Sequence, residues 1–257
     1  MLRSMKALDG FTIGATDGDI GTVNECYFDD VSYTVRYIVV DTGRWLPGRK
    51  VLLSPIAVRK MDWAEKRLTA VLTKAQVEKS PDIDTDKPVS RQHETAYYGY
   101  YGYAPYWTGD YLWGASPYPY LGAGPAMSAA DLARAQRWSW EAKEQEDPHL
   151  RSVRAVTGYH LQATDGEIGH VADFFVDDQS WTIRYMLVDT TNWWAGKKVL
   201  VAPSWIGRVD WLESKVHVTV TRAQIKTSPE YDPARPVERP YETQLYDHYK
   251  VPRYWGG

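Results

Sequence analysis

Cysteine, phenylalanine and an excess of charge of either sign are what this 257-residue chain has least of. Its single cysteine, Cys26, excludes an intrachain disulfide and cannot by itself build a thiolate zinc site. Thirty basic residues face thirty-three acidic ones, a net charge of −3, spread without a basic block. A nucleic-acid binder or a binder of anionic membrane needs such a block, so nucleic acid is not an expected partner. No apolar run approaches the ~20 residues of a membrane-spanning helix. The opening Met1-Leu2-Arg3-Ser4-Met5-Lys6 has no signal-peptide core either, and the expectation is a cytoplasmic protein. Enzyme signatures are missing too. The six histidines fall in no zinc-ligand spacing, and there is no nucleophile elbow and no Walker loop. No catalytic residue and no cofactor are expected.

Tyrosine and tryptophan are abundant instead, 19 and 12 against 4 phenylalanines. Rings with a polar handle favour sites that are apolar at one end and hydrogen-bonded at the other. The strongest signal is an internal repeat. Shifting the chain by 148 positions aligns Leu2–Tyr98 with Leu150–Tyr246 without a gap, with about 40 of the 97 pairs identical. Cys26 aligns with Phe174, which makes it a core position rather than a nucleophile.

Within a copy the pattern predicts short strands. Phe11–Ala15 and Ile20–Phe28 flank an Asp17-Gly18 turn. Thr34–Thr42, answered by Thr182–Thr190, is a β-branched and aromatic run apolar on both faces, hence a central strand covered on both sides. The sister domain or a second chain is the expected cover for its outer face. Lys50–Leu53, Val58–Trp63 and Leu68–Leu72 follow, and Thr73 caps a short helix that ends at Ser80-Pro81. Six short strands in so few residues point to a small closed barrel.

The series Asp17-Gly18-x-Ile20-Gly21-x-Val23, Asp29-Asp30, Arg36–Thr42, Trp45 and Gly48-Arg49-Lys50-Val51-Leu52 resembles the PRC-barrel family, and the second copy repeats it. The resemblance covers about 80 residues of each half. It implies a six-stranded barrel. The family's known settings are the cytoplasmic domain of the reaction-centre H subunit, a ribosome-maturation factor, and stand-alone bacterial proteins of unknown role. It supplies no catalytic residues. The expected fold is mainly β: two tandem barrels at 1–96 and 150–246, a linker with one helix at 97–149, and a tail at 247–257.

Tyr97–Tyr120 holds aromatic rings between glycines and prolines, which rule out a regular helix or strand through it. Its rings read as surface glue, with a stacking surface for a planar ligand as the sharper alternative. Ser128 and Asp131 start a predicted helix at about 128–146, with Leu132, Ala135, Trp138 and Ala142 on one stripe. The candidate interface is Arg36, Tyr37, Asp41, Trp45, Arg184, Tyr185, Asp189, Trp193, Trp194 and Trp138. Within it, Arg36 with Asp41 and Arg184 with Asp189 are expected as charge pairs that fix a turn or the barrel–barrel register. A proton-relay carboxylate, which the resemblance to the H subunit implies, is the functional alternative. Asp17, Asp19, Asp165 and Glu167 form a candidate weak cation site, against the simpler reading that Asp-Gly is turn chemistry. The Gly48-Arg49-Lys50 and Gly196-Lys197-Lys198 loops read as turns with solvated cations. The expected function is non-enzymatic: a binding or scaffold protein that self-associates and engages an unidentified protein. A small-ligand or metal binder using a cleft between the barrels is the alternative, and an RNA- or ribosome-associated factor the second.

Overall fold

The computed structural model describes residues 1–81, 89, 91–120, 149–191 and 197–255. The predicted helix at 128–146, with Trp138, and the pair Trp193-Trp194 lie outside them. The first copy contributes β1 (Leu2–Ser4), β2 (Thr12–Ala15), β3 (Gly18–Asp29), β4 (Thr34–Asp41), β5 (Lys50–Leu53), β6 (Val58–Asp62) and β7 (Arg67–Ala70), then α1 (Lys74–Glu78) and α2 (Arg91–Tyr101). The second contributes β8 (Leu150–Ser152), α3 (Val153–Val156), β9 (His160–Ala163), β10 (Gly166–Asp177), β11 (Ile183–Asp189), β12 (Lys198–Val201), β13 (Ile206–Asp210) and β14 (Lys215–Val218), then α4 (Arg222–Thr227) and α5 (Arg239–Tyr249).

The chain is mainly β, with two seven-stranded sheets of the same order. One runs β5-β4-β3-β2-β7-β6 and the other β12-β11-β10-β9-β14-β13. Neighbours are antiparallel except β2 with β7 and β9 with β14, which are parallel. Among the described residues the end strands β5 and β6 share no ladder, so the six-strand path is not closed by strand pairing. A turn at Pro55–Ala57 joins them, with Ser54 as its cap.

The seventh strand of each sheet comes from the other copy. β1 lies antiparallel on β10, with Leu2 opposite Asp177 and Ser4 opposite Phe175. β8 lies on β3 in the matching register, Leu150 opposite Asp29 and Ser152 opposite Tyr27. The compact units therefore differ from the division at 1–96 and 150–246. A first-copy unit comprises Leu8–Ser152 with Gln179–Trp181, and a second-copy unit comprises Met1–Ala7, Val153–Asp178 and Thr182–Gly257.

β3 is twelve residues long because it bends while serving β2 with one end and β4 with the other, and the register slips between Val23 and Glu25. Gly21 makes the bend possible: its φ is +145°, and a Cβ there would collide with the Asp41 carbonyl. Gly169 repeats this against Asp189. β4 is buried over Thr34–Val40, as its two apolar faces require. The cover on the Tyr37 face is α2 of the same unit, rather than the sister domain or a second chain. Tyr97 of α2 packs edge-on against Tyr37, with ring centroids 5.2 Å apart.

Helix α2 also corrects the reading of the aromatic segment, since it continues through Tyr97-Tyr98-Gly99-Tyr100-Tyr101 before Gly102 ends it at φ +69°. Gly99 is tolerated there because the two rings before it are buried; Tyr97 and Tyr98 are 1% and 0% exposed. Its counterpart α5 ends in Lys250 at φ +54°, 148 positions on.

Candidate functional site

α2 presents Glu94 toward β4, and Glu94 is wholly buried. A bare buried carboxylate is costly, and this one is surrounded by donors. Tyr37 donates its hydroxyl to Oε1 at 3.1 Å and Tyr106 at 2.9 Å. Arg91, one turn back on α2, pairs with Oε2 at 3.0 Å, and His149 Nε2 lies 2.9 Å from the same oxygen. Arg91 also donates to the Tyr106 hydroxyl at 3.0 Å.

Above this cluster the cations stack on rings. The Arg36 guanidinium lies 3.7 Å over Tyr106 and 4.9 Å from Trp113, and Arg91 lies 4.3 Å over Trp107. Such contacts contribute about 0.5–2 kcal/mol each, more when desolvated. Trp113 donates its indole N–H to the Ser180 carbonyl at 2.9 Å, and the Trp181 carbonyl accepts from Val35 N–H at 2.8 Å. Burial, reinforced by the Glu94 charge, pushes the phenols of Tyr37 and Tyr106 well above the usual tyrosine range. For Arg91 burial works against the charge, but Glu94 and Tyr106 outweigh it and hold the guanidinium more firmly protonated than usual.

A groove of about 560 Å³ opens on this assembly. Arg36, Arg91, Tyr106 and His149 form its base, and Val31, Trp107, Asp110, Tyr111 and Pro117 lie along it. Its lip is apolar and wet: Val31 is 85% and Tyr111 59% exposed.

The second-copy unit repeats the cluster. Glu242 accepts from Tyr185 at 2.8 Å and Tyr254 at 2.6 Å, and pairs with Arg239 at 3.0 Å. Arg184 lies 4.4 Å over Tyr254, and Arg239 lies 4.2 Å over Trp255. Tyr106-Trp107 and Tyr254-Trp255 are thus equivalent, and the repeat runs nine residues past the Tyr98/Tyr246 limit set on sequence. Arg91, Glu94, Tyr106 and Trp107 are site residues missed by sequence reasoning. Arg91 and Glu94 already stood inside the alignment as identical pairs with Arg239 and Glu242, and extending it through Gly102/Lys250 would have added Tyr106 and Trp107.

The sequence-selected residues are distributed as follows. Arg36 is buried in the base of the groove, where it donates to the Leu112 carbonyl and to Ser32 and lies 3.6 Å from Asp29. The expected pairing with Asp41 is not formed, because the two sit near opposite ends of β4. Asp41 accepts from Gly43 N–H at 2.9 Å instead. Likewise Arg184 faces Asp177 at 3.8 Å, and Asp189 accepts from Thr191. Tyr37 and Tyr185 are buried under their helices. Trp45 lies under Lys74, 4.7 Å from its ammonium.

The acidic turns are spent on structure. Asp17 accepts from Lys74 N–H at the start of α1 at 2.8 Å, and Asp165 from Arg222 N–H at the start of α4 at 2.7 Å. Asp19 pairs with Arg67, whose hydrogen bond holds its carboxyl below the usual range. Glu167 pairs with His160 at 2.8 Å. Among the described residues no group of three metal-ligating side chains assembles. The basic loops cap helices rather than face solvent freely: Arg49 donates to the Glu78 and Ser80 carbonyls, and Lys197 to those of Lys226 and Ser228. Cys26 is buried, and burial pushes its thiol up, away from nucleophilic reactivity. No helix among the described residues is long and apolar enough to cross a membrane.

No protein-family model matches the chain. A protein of Deinococcus radiodurans described only as uncharacterized is 37% identical over 82 residues, which are 32% of this chain. The matched stretch spans 27% of that protein's own length.

Proposed function

We propose that the chain is a non-enzymatic binding protein of PRC-barrel type, cytoplasmic, which serves as a scaffold by holding a protein partner in the groove of its first-copy unit. In this reading each sheet with its turn at Pro55–Ala57 or Pro203–Trp205 curls into the family's small barrel, and α2 and α5 plug one face. One observation carries the proposal: an immobilised charged base lies beneath an exposed apolar lip. General acid–base catalysis needs a group that reaches substrate. Glu94 has no exposed surface, and its oxygens are occupied by Tyr37, Tyr106, Arg91 and His149. Val31, Trp107, Tyr111 and Pro117, by contrast, offer the aromatic and aliphatic surface that recognition uses, with Asp110 at the rim. The groove's volume also fits the ~300–1,000 Å³ of small-molecule sites, which keeps a small ligand as the second reading.

A photo-crosslinking amino acid at Tyr111 in living cells tests the first reading. A discrete protein adduct that Val31→Glu abolishes is expected. Intact-mass measurement of the natively purified chain reads the alternative. Added small-molecule mass that Val31→Glu removes, with no protein adduct at Tyr111, would replace the scaffold by a ligand carrier.

A further inference from the structure

We propose that the outer edge of β10 is a self-recognition site whose partner is the amino-terminal arm, residues 1–7, of a second copy of this chain. The proposal does not depend on the groove.

The accepting edge recognises the arm by backbone and side chain together. Asp178 N–H donates to the Met1 carbonyl at 3.0 Å, and Met5 N–H to Phe174 at 2.8 Å. Ser4 donates to Asp173 at 2.5 Å, Lys6 N–H to the same carboxylate at 3.1 Å, and Arg3 to Asp178 at 3.4 Å. Met5 is buried at 3% exposure. The β3 edge takes β8 with the same code: Ser152 donates to Glu25, Arg151 to Asp30 at 2.7 Å, and Asp30 N–H to the His149 carbonyl at 2.9 Å. Glu25 and Asp30 stand 148 positions before Asp173 and Asp178.

Both inserted strands read Leu-Arg-Ser, and both edges present their acids at the same positions. The arm of a second copy is identical to the chain's own, so nothing local distinguishes the two. The choice is made by connection. The arm belongs to the second-copy unit and passes to the first-copy unit at Leu8, so the point of exchange is the single turn at Lys6–Leu8. When two chains trade arms, every contact between arm and β10 is remade, and chain entropy separates the two forms. That is the condition for domain swapping, in which local concentration favours the closed form when dilute and mass action the exchanged form when concentrated.

Leu2 and Asp177 form the test pair. The bonds at Met1/Asp178 and Met5/Phe174 make Leu2/Asp177 a non-hydrogen-bonded pair of the ladder. Their Cα atoms then stand about 4.5 Å apart, inside disulfide range. Full-length Leu2→Cys and full-length Asp177→Cys are unfolded, mixed in equal amounts, refolded over a range of concentrations and oxidised gently. A disulfide between the two substituted positions can then form only between chains. The expected result is a covalent dimer mapped to those positions, its ratio to monomer rising about tenfold for a tenfold rise in concentration while dimer is scarce. The Leu2→Cys/Asp177→Cys double variant should close within one chain at high dilution. Closure of that double variant at every concentration, with no crosslinked dimer from the mixture, overturns the proposal. Ser4→Cys with Phe175→Cys, the next non-hydrogen-bonded pair, repeats the measurement. Failure of both double variants to close within a monomer would refute the register and the proposal with it.

Discussion

Glu94 and Glu242 hold the same place in the two copies, yet their surroundings differ by one residue: His149 joins Glu94, whereas the position 148 residues earlier is Met1. Arg91 is also more enclosed than Arg239, at 25% against 52% side-chain exposure. Breaking a buried ion pair by removing one partner costs about 3–5 kcal/mol, while a better-solvated pair loses less. Glu94→Gln is therefore expected to destabilise its unit by about 3 kcal/mol, and Glu242→Gln its own unit by about 1–2 kcal/mol. Hydrogen exchange of β4 and β11 reads the two separately, and equal effects would remove any special role for His149. The phenols around these glutamates set the alkaline limit. Tyr37, Tyr97, Tyr98, Tyr106 and Tyr185 all have folded-state values raised by burial. Unfolded tyrosine ionises near pH ~10 while the buried phenol stays protonated, so the unfolded state alone loses the proton. Stability is thus fully present below pH ~10 and falls above it by about 1.4 kcal/mol per pH unit for each such tyrosine. The tyrosinate absorbance of these buried phenols should accordingly appear together with loss of β circular dichroism, and Tyr98→Phe should make that fall shallower.

Among the elements, the short helices were the most legible. Thr73-x-x-Gln76 and Thr221-x-x-Gln224 form complete capping boxes, each backed by an aspartate from the β-turn of its own sheet. A five-residue helix is too short to persist alone, so the cap matters disproportionately. Thr73→Ala is expected to cost about 1 kcal/mol. It should speed exchange in Lys74–Glu78 while leaving Arg222–Thr227 unchanged, and equal acceleration in both would contradict a local cap. Strands β4 and β11 were equally plain, since a β-branched run apolar on both faces fits few other structures. Helix α2 was obscured because Gly99 and Gly102 punctuate a low-complexity stretch, and local propensity says helix poorly there. Burial of Tyr97 and Tyr98 beneath β4 overrides that propensity. The ion pairs of Arg36 and Arg184 were misassigned for a similar reason. Five positions along a strand is a separation of some 16 Å, beyond the reach of paired side chains, whereas Asp29 and Asp177 lie across the hairpin.

At the scale of the whole molecule the duplication was evident in sequence, but the exchange of β1 and β8 was not. An alignment that finds Leu2-Arg3-Ser4 identical to Leu150-Arg151-Ser152 states that the strands are interchangeable, and for that very reason cannot say which sheet each one joins. The exchange carries a consequence for biosynthesis. A ribosome delivers the amino end first, yet β3 must wait for residues more than a hundred positions downstream, with Arg151 meeting Asp30 across 121 residues and Ser152 meeting Glu25 across 127. The first-copy sheet therefore emerges with the Tyr27–Asp29 edge bare, and the emerging arm at Leu2–Ser4 carries the same three side chains that will later cover it. That edge stays unpaired until Leu150–Ser152 has been made, so completion of the first sheet is tied to translation of the second copy.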